Sequence, residues 1–140
     1  MWLFYAFLSA IFAAAVAIVG KLGLKNIDST LATTIRSVVM AVFLIAVSLS
    51  LRKFNGFNFQ SIAVKDWWLI IFAGIFGALS WLFYFFALKH GQAVPVVAID
   101  RLSIVFVLVL AALFLGEAFT LKSLAGTLLI AAGAMLISIK

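Results

Sequence analysis

Arg36, Asp100 and Arg101 are ionisable residues standing inside long apolar runs, Arg36 between Ser29 and Leu51 and the other two between Pro95 and Leu115. An arginine keeps its proton in any protein environment, so its charge must be met by a counterion, water or an anionic ligand. Asp100 can answer that charge, accept a proton, or bind a cation. Two arrangements follow. In one, Arg36 and Asp100 pair and tie two elements together. In the other, Arg36 or Arg101 lines a cationic cavity that receives an anionic or carboxylate-bearing solute. Thr33, Thr34, Ser37 and Ser103 lie beside these charges as hydrogen-bonding groups. Trp81 and Tyr84, with Phe85 and Phe86, supply rings that can wall a pocket or face lipid.

Other chemistries find no support. The chain has no cysteine, no phosphate-binding glycine loop, no cluster of metal ligands and no nucleophile beside a base. No enzyme activity, cofactor or metal is therefore expected. The lone His90 falls in a connection, where proton coupling is one reading and reaching the membrane interface the plainer one. Glu117 is close to Lys122, which suggests a salt bridge or cap at a helix end.

The elements that carry these residues are set by composition. Of 140 residues, 68% are hydrophobic and only 10% charged, with a mean hydropathy of +1.36. So few polar residues cannot cover a soluble domain. The apolar runs approach the roughly 20 residues that cross about 30 Å of hydrocarbon. Lacking strict alternation, they are helices rather than barrel strands. The expected fold is all-α, a polytopic membrane bundle of five transmembrane helices forming one domain over residues 1–140. The net charge of +6 does not indicate nucleic acid, because most basic residues flank the runs, where they meet phospholipid headgroups.

Span one is expected over Trp2–Gly20, a permanent helix rather than a cleaved leader, since it lacks a basic start and four spans follow. Span two covers Ser29–Leu51 behind a capping cluster, Asp28-Ser29-Thr30. The Arg52–Lys65 loop, with Asn55-Gly56 and Phe54, Phe57 and Phe59, lies at the interface. Asp66 is expected to cap span three, with Trp67 and Trp68 in an aromatic belt. Span three ends near Leu88, and Lys89-His90-Gly91-Gln92 links it to span four, where Pro95 suits the first turn. Span four runs to Leu115, and Thr120 caps span five, which reaches Lys140. Small residues at Ser9/Ala13/Ala17, Ala73/Gly77, Gly74/Ala78 and Gly126/Gly133 suit close helix packing.

Spans two and four start on the same side of the membrane, so Arg36, Asp100 and Arg101 share one half of the bilayer. A charge near mid-membrane costs at least about 2.5–3.5 kcal/mol unless it is paired or hydrated. The three groups are thus expected to face one another or a watery cavity, with Lys21 extending the field. The flanking charges do not fix orientation. Arg52, Lys53, Lys65 and Lys122 lie on the amino-terminal side, against Lys21, Lys25, Lys89 and Lys140 on the other. Such balance lets one chain insert both ways and pair antiparallel, the geometry of an inverted-repeat transporter.

Two segments, Leu8–Ser37 and Ile99–Leu136, resemble the EamA-domain family of the drug/metabolite transporter superfamily, in its short five-helix bacterial and archaeal branch. The most specific pieces are Ala32-Thr33-Thr34-Ile35-Arg36, Asp100-Arg101-Leu102-Ser103 and Phe114-Leu115-Gly116-Glu117. The resemblance implies one repeat of a ten-helix fold in which two inverted five-helix repeats enclose a central cavity. It also implies an antiparallel homodimer, a small-molecule solute, surrounding membrane lipid, and a prokaryotic inner or plasma membrane. Family members export amino acids, other metabolites or drugs, or carry nucleotide sugars. Four-helix multidrug relatives use an acid in the first helix, and span one here has none. Secondary transport, as metabolite efflux, is the leading expectation. A non-transporting membrane subunit and a component of a lipid-linked sugar flippase are the alternatives.

Overall fold

A computed structural model describes residues 1–58 and 61–139, so Phe59 and Lys140 lie outside the described residues. Among the described residues the secondary structure is helical: α1 (Trp2–Gly23), α2 (Ser29–Ser50), α3 (Val64–His90), α4 (Ala93–Asp100), α5 (Ser103–Leu110), a π-helical turn (Ala111–Leu115) and α6 (Leu121–Ser138). Counting Ala93–Leu115 as one span, five helices are long and apolar enough to cross a membrane. Large apolar side chains such as Phe43, Phe76, Phe106 and Leu129 are exposed. A water-soluble fold would bury them, whereas hydrocarbon accepts them.

The helix ends show which local signals hold. Asp28 caps α2 as expected, its Oδ1 accepting the N–H of Thr30 at 2.9 Å and of Leu31 at 3.1 Å. The Leu31 N–H holds the Asp28 carboxyl below its ordinary value; desolvation opposes this, and the Thr30 N–H and the Lys89 charge add to it. At the far end of α2 the N–H of Lys53 reaches back to the Ser48 carbonyl at 2.9 Å, with Arg52 in the left-handed region at φ 51°. Glycine would take that conformation without the cost that Arg52 incurs.

Asp66 does not cap α3. The helix already starts at Val64, and the Ala63 carbonyl accepts the N–H groups of Asp66 (2.9 Å) and Trp67 (3.2 Å). Asp66 instead places its charge in the first turn, where the helix dipole favours it. Helix α3 also outruns the expected end at Leu88. With no breaker before Gly91, Lys89 and His90 are helical, and the link shortens to Gly91-Gln92. Helix α1 similarly extends to Gly23 and takes in Lys21.

Span four departs most from expectation. It begins at Ala93, with Pro95 in the first turn as anticipated, but it is interrupted after Asp100. There the hydrogen bonds tighten to three-residue steps: Leu102 N–H to Ile99 O (2.9 Å), Ile104 to Arg101 (3.2 Å) and Val105 to Leu102 (2.9 Å). This is a 3₁₀ turn. Eight residues later the helix loosens into the π-turn, closed by Gly116 at φ 67° and by the Glu117 N–H reaching Ala111 O at 3.3 Å. Thr120 then caps α6, its Oγ1 accepting the Ser123 N–H at 3.0 Å while Ser123 Oγ accepts the Thr120 N–H at 3.1 Å. Thr120→Ala removes half of this reciprocal cap. It is expected to destabilise the protein by about 1 kcal/mol in detergent-micelle unfolding, against nearly no change for Thr120→Ser.

Two compact units make up the chain, residues 1–22 with 90–140 and residues 23–89. In the first, α6 runs against α4 and α5, and Ala17, Ala98, Thr127 and Ala134 are buried. Lys21 Nζ donates to the Gly91 carbonyl at 2.7 Å, tying the end of α1 to the start of span four. In the second, Leu24, Ser29, Thr33, Phe85 and Leu88 are buried. Lys89 Nζ donates to the Ile27 carbonyl at 3.0 Å, joining the end of α3 to the turn before α2. The small-residue stripes are only partly used for packing. Ala17 is buried, but a Cβ placed on Gly74, Gly77, Gly126 or Gly133 meets, apart from its own stretch of helix, nothing within 4 Å among the described residues.

Candidate functional site

The unit of residues 23–89 brings three of the expected site residues together. Trp81, Tyr84 and Phe85 recur at helical spacing on one face of α3. Their rings touch, with centroids 5.5 Å apart for Trp81–Tyr84, 6.0 Å for Trp81–Phe85 and 6.1 Å for Tyr84–Phe85. Phe85 is buried and anchors the cluster, while Trp81 and Tyr84 are half-buried. The guanidinium carbon of Arg36, from α2, lies 3.6 Å from the Trp81 ring centroid and 5.4 Å from that of Phe85. A cation this close to an indole face gains on the order of 0.5–2 kcal/mol, more as water is excluded.

A contact with the rings does not use up the N–H groups of the guanidinium. The five N–H groups of arginine lie in the guanidinium plane, in a fork that matches a carboxylate or phosphate. Arg36 sits over the Trp81 ring with no hydrogen bond or ion pair to its N–H groups among the described residues of this unit.

The hydroxyls beside it are committed elsewhere. Thr33 Oγ1 donates to the Ser29 carbonyl at 2.7 Å, Thr34 Oγ1 to Thr30 at 2.9 Å, and Ser37 Oγ to Thr33 at 2.8 Å. Such bonds to the preceding turn satisfy the hydroxyl within its own helix. Thr33 and its neighbours thus keep only acceptor capacity for anything nearby. The buried Ser29 hydroxyl has no partner among the described residues.

Asp100, Arg101 and Ser103 belong to the other unit and cluster at the 3₁₀ turn. Asp100 is the last residue of α4, Arg101 sits in the turn and Ser103 opens α5; all three are exposed. Within that unit neither Asp100 nor Arg101 forms an ion pair among the described residues. His90 ends α3 and is exposed. Glu117 and Lys122 form no ion pair with each other among the described residues, contrary to expectation, but they line one recess between α5 and α6. That recess, like the break in span four, went unread in the sequence. Residues 101 and 102 include no glycine or proline to announce a break, and Gly116 was the one local sign of the loosened turn.

Five helices long and apolar enough to cross a membrane define an integral membrane protein. The sequence model of the EamA-like transporter family matches residues 1–139. The chain is also 39% identical over 138 residues to an "Uncharacterized transporter in cobO 3'region" of Sinorhizobium sp, covering 99% of this chain and 96% of that protein. No solved structure matches it. The chain belongs to the EamA-like transporter family.

Proposed function

We propose that the protein exports a small carboxylate-bearing metabolite, amino-acid-like or otherwise anionic or zwitterionic, by alternating access as half of an inverted homodimer. In this reading the chain is one five-helix domain spanning residues 1–140, placed in a prokaryotic inner membrane. The observation that carries it is Arg36 over the Trp81 ring with no hydrogen bond or ion pair to its N–H groups among the described residues of its unit. Its N–H groups receive the solute carboxylate, Trp81 and Phe85 hold the guanidinium in place, and Tyr84 flanks it. Thr33 lines the wall.

Asp100 takes the opposite role, as partner for a solute ammonium or for a coupling proton. Arg36 follows the first residue of α2 by seven positions, and Asp100 follows that of α4 by seven. Each is therefore about 10 Å along its helix. The 3₁₀ turn at Arg101-Leu102, with Ser103 beyond it, gives span four a joint at the level of that charge, as discontinuous helices do in transporters. The unfilled space beside Gly74 and Gly77 supports a second copy, since small residues let helices of two chains approach closely.

Counterflow in proteoliposomes tests the reading. Labelled amino acids and organic acids are loaded beside their uncharged amides and esters. The carboxylates are expected to exchange at least about tenfold faster than the neutral forms, since one charge-assisted bidentate contact is lost. Equal exchange of acids and esters removes Arg36 from the role. No exchange of any solute across the panel favours a non-transporting membrane subunit.

A further inference from the structure

Between α5 and α6 lies a recess of about 420 Å³ whose two ends differ in character. Glu117 and Lys122 line it at the end beside the turn between the two helices, its mouth, and Ile104, Val107 and Ile130 line it farther along them. Three features keep it open: the π-turn beginning at Ala111, the small side chain of Ala111 itself, and Gly126, where a Cβ would meet, apart from its own stretch of helix, nothing within 4 Å among the described residues. A π-turn takes more residues per turn than an α-helix and so displaces the backbone at its edge.

The charges at the mouth are unused. Thr120 and Ser123, the neighbouring polar groups, satisfy each other in the cap of α6. Glu117 and Lys122 form no ion pair among the described residues. Thr120 and Ile130 are ten residues apart, which along α6 is about 15 Å. That is about half the roughly 30 Å of a bilayer's hydrocarbon, the depth of one leaflet. The recess thus presents one positive and one negative group at headgroup level, and apolar walls for a leaflet's depth below.

We infer that this recess holds one phospholipid with a zwitterionic primary-amine headgroup, of the phosphatidylethanolamine kind. Lys122 takes the phosphate as a point charge, Glu117 accepts from the ammonium, and one acyl chain fills the groove between Ile104, Val107 and Ile130. A small zwitterionic solute would satisfy the charges and leave the apolar depth empty. A choline headgroup cannot donate to Glu117, and a glycerol headgroup brings no cation to it.

Purified, delipidated full-length protein is offered phosphatidylethanolamine, phosphatidylcholine or phosphatidylglycerol with matched chains, and retained lipid is counted by native mass spectrometry. The amine lipid is expected to be retained about tenfold over either other, the worth of one charge-assisted hydrogen bond. Glu117→Gln should erase the preference over choline while leaving a general phospholipid contact. Lys122→Gln should lower retention of all three, and Ile130→Trp should abolish it by filling the groove. Glu117 and Lys122 are exposed, so their variants remain informative if Ile130→Trp fails to fold. Equal retention of the three lipids overturns the assignment, and so does an unchanged preference in Glu117→Gln. A cysteine at position 130 that crosslinks in high yield to a second copy, with no lipid retained, overturns it too and makes the recess an interface between chains.

Discussion

Arg36→Leu is expected to reduce solute exchange to background while leaving the protein as stable as the parent, or more so. The stability half rests on comparing two magnitudes. A guanidinium in the membrane costs at least about 2.5–3.5 kcal/mol. The contact with the Trp81 ring at 3.6 Å returns on the order of 0.5–2 kcal/mol. Within its unit no ion pair offsets the remainder among the described residues. Removing the charge therefore relieves a cost.

If Arg36 were instead one half of a pair pinning two helices, its loss would destabilise by about 3–5 kcal/mol, because a buried partner would be stranded. Unfolding in mixed micelles, measured beside counterflow, separates the two. Arg36→Lys sharpens the point. The charge is kept, but an ammonium neither stacks flat nor presents a two-pronged edge. Exchange is expected to fall by about 10–100-fold, a change equivalent to losing one or two strong hydrogen bonds. Trp81→Phe, which keeps a ring beneath the guanidinium, should fall less than Trp81→Ala. A lysine variant with full exchange would show that bare positive charge suffices and that the fork has no part.

How far the sequence discloses this site follows from what kind of force sets each feature. The five spans are legible because membrane thickness imposes a length and lipid imposes apolarity. Asp28 and Thr120 are legible because a cap is a local bond between residues two or three apart. Asp66 misleads for the same reason that caps are weak signals in lipid-flanked helices: Val64 and Lys65 accept helical geometry, so the first turn forms before the acid arrives. The pairing of Arg36 with Trp81 spans 45 residues and depends on how α2 meets α3, which no local pattern encodes. Its one trace is the 81, 84, 85 spacing. The 3₁₀ turn after Asp100 and the π-turn before Gly116 alter hydrogen-bond register without altering composition, so they are silent in a run of Leu, Val, Ala and Phe. Thr33 shows the same limit from the other side. Its hydroxyl looked free for a solute, but an intramembrane helix offers a carbonyl four residues back, and the hydroxyl takes it.

Fusing two copies head to tail through a short polar linker is expected to preserve exchange per site, whereas inserting one extra transmembrane helix between them should reduce it at least about a hundredfold. The argument is one of parity. A chain of five crossings ends on the side opposite its start. A second copy that begins there is necessarily upside down relative to the first, so the direct fusion reproduces an antiparallel pair in one polypeptide. One added crossing restores the starting side and forces the copies parallel. Alternating access by repeats needs the two halves inverted, so that the contacts closing one face in one state close the other face in the next. A parallel pair has no such exchange of roles, and the Arg36 side chains of its two copies would lie at the same level rather than across the midplane. The balance of basic residues on the two sides leaves either copy free to insert as the fusion dictates. Both fusions carry the same residues in the same spans, so a difference in exchange between them, at equal expression and equal thermal midpoint, reports orientation alone. Full exchange by the parallel fusion, or none by the direct one, would sink the inverted dimer while leaving the proposed carboxylate site on Arg36 to stand on its own test.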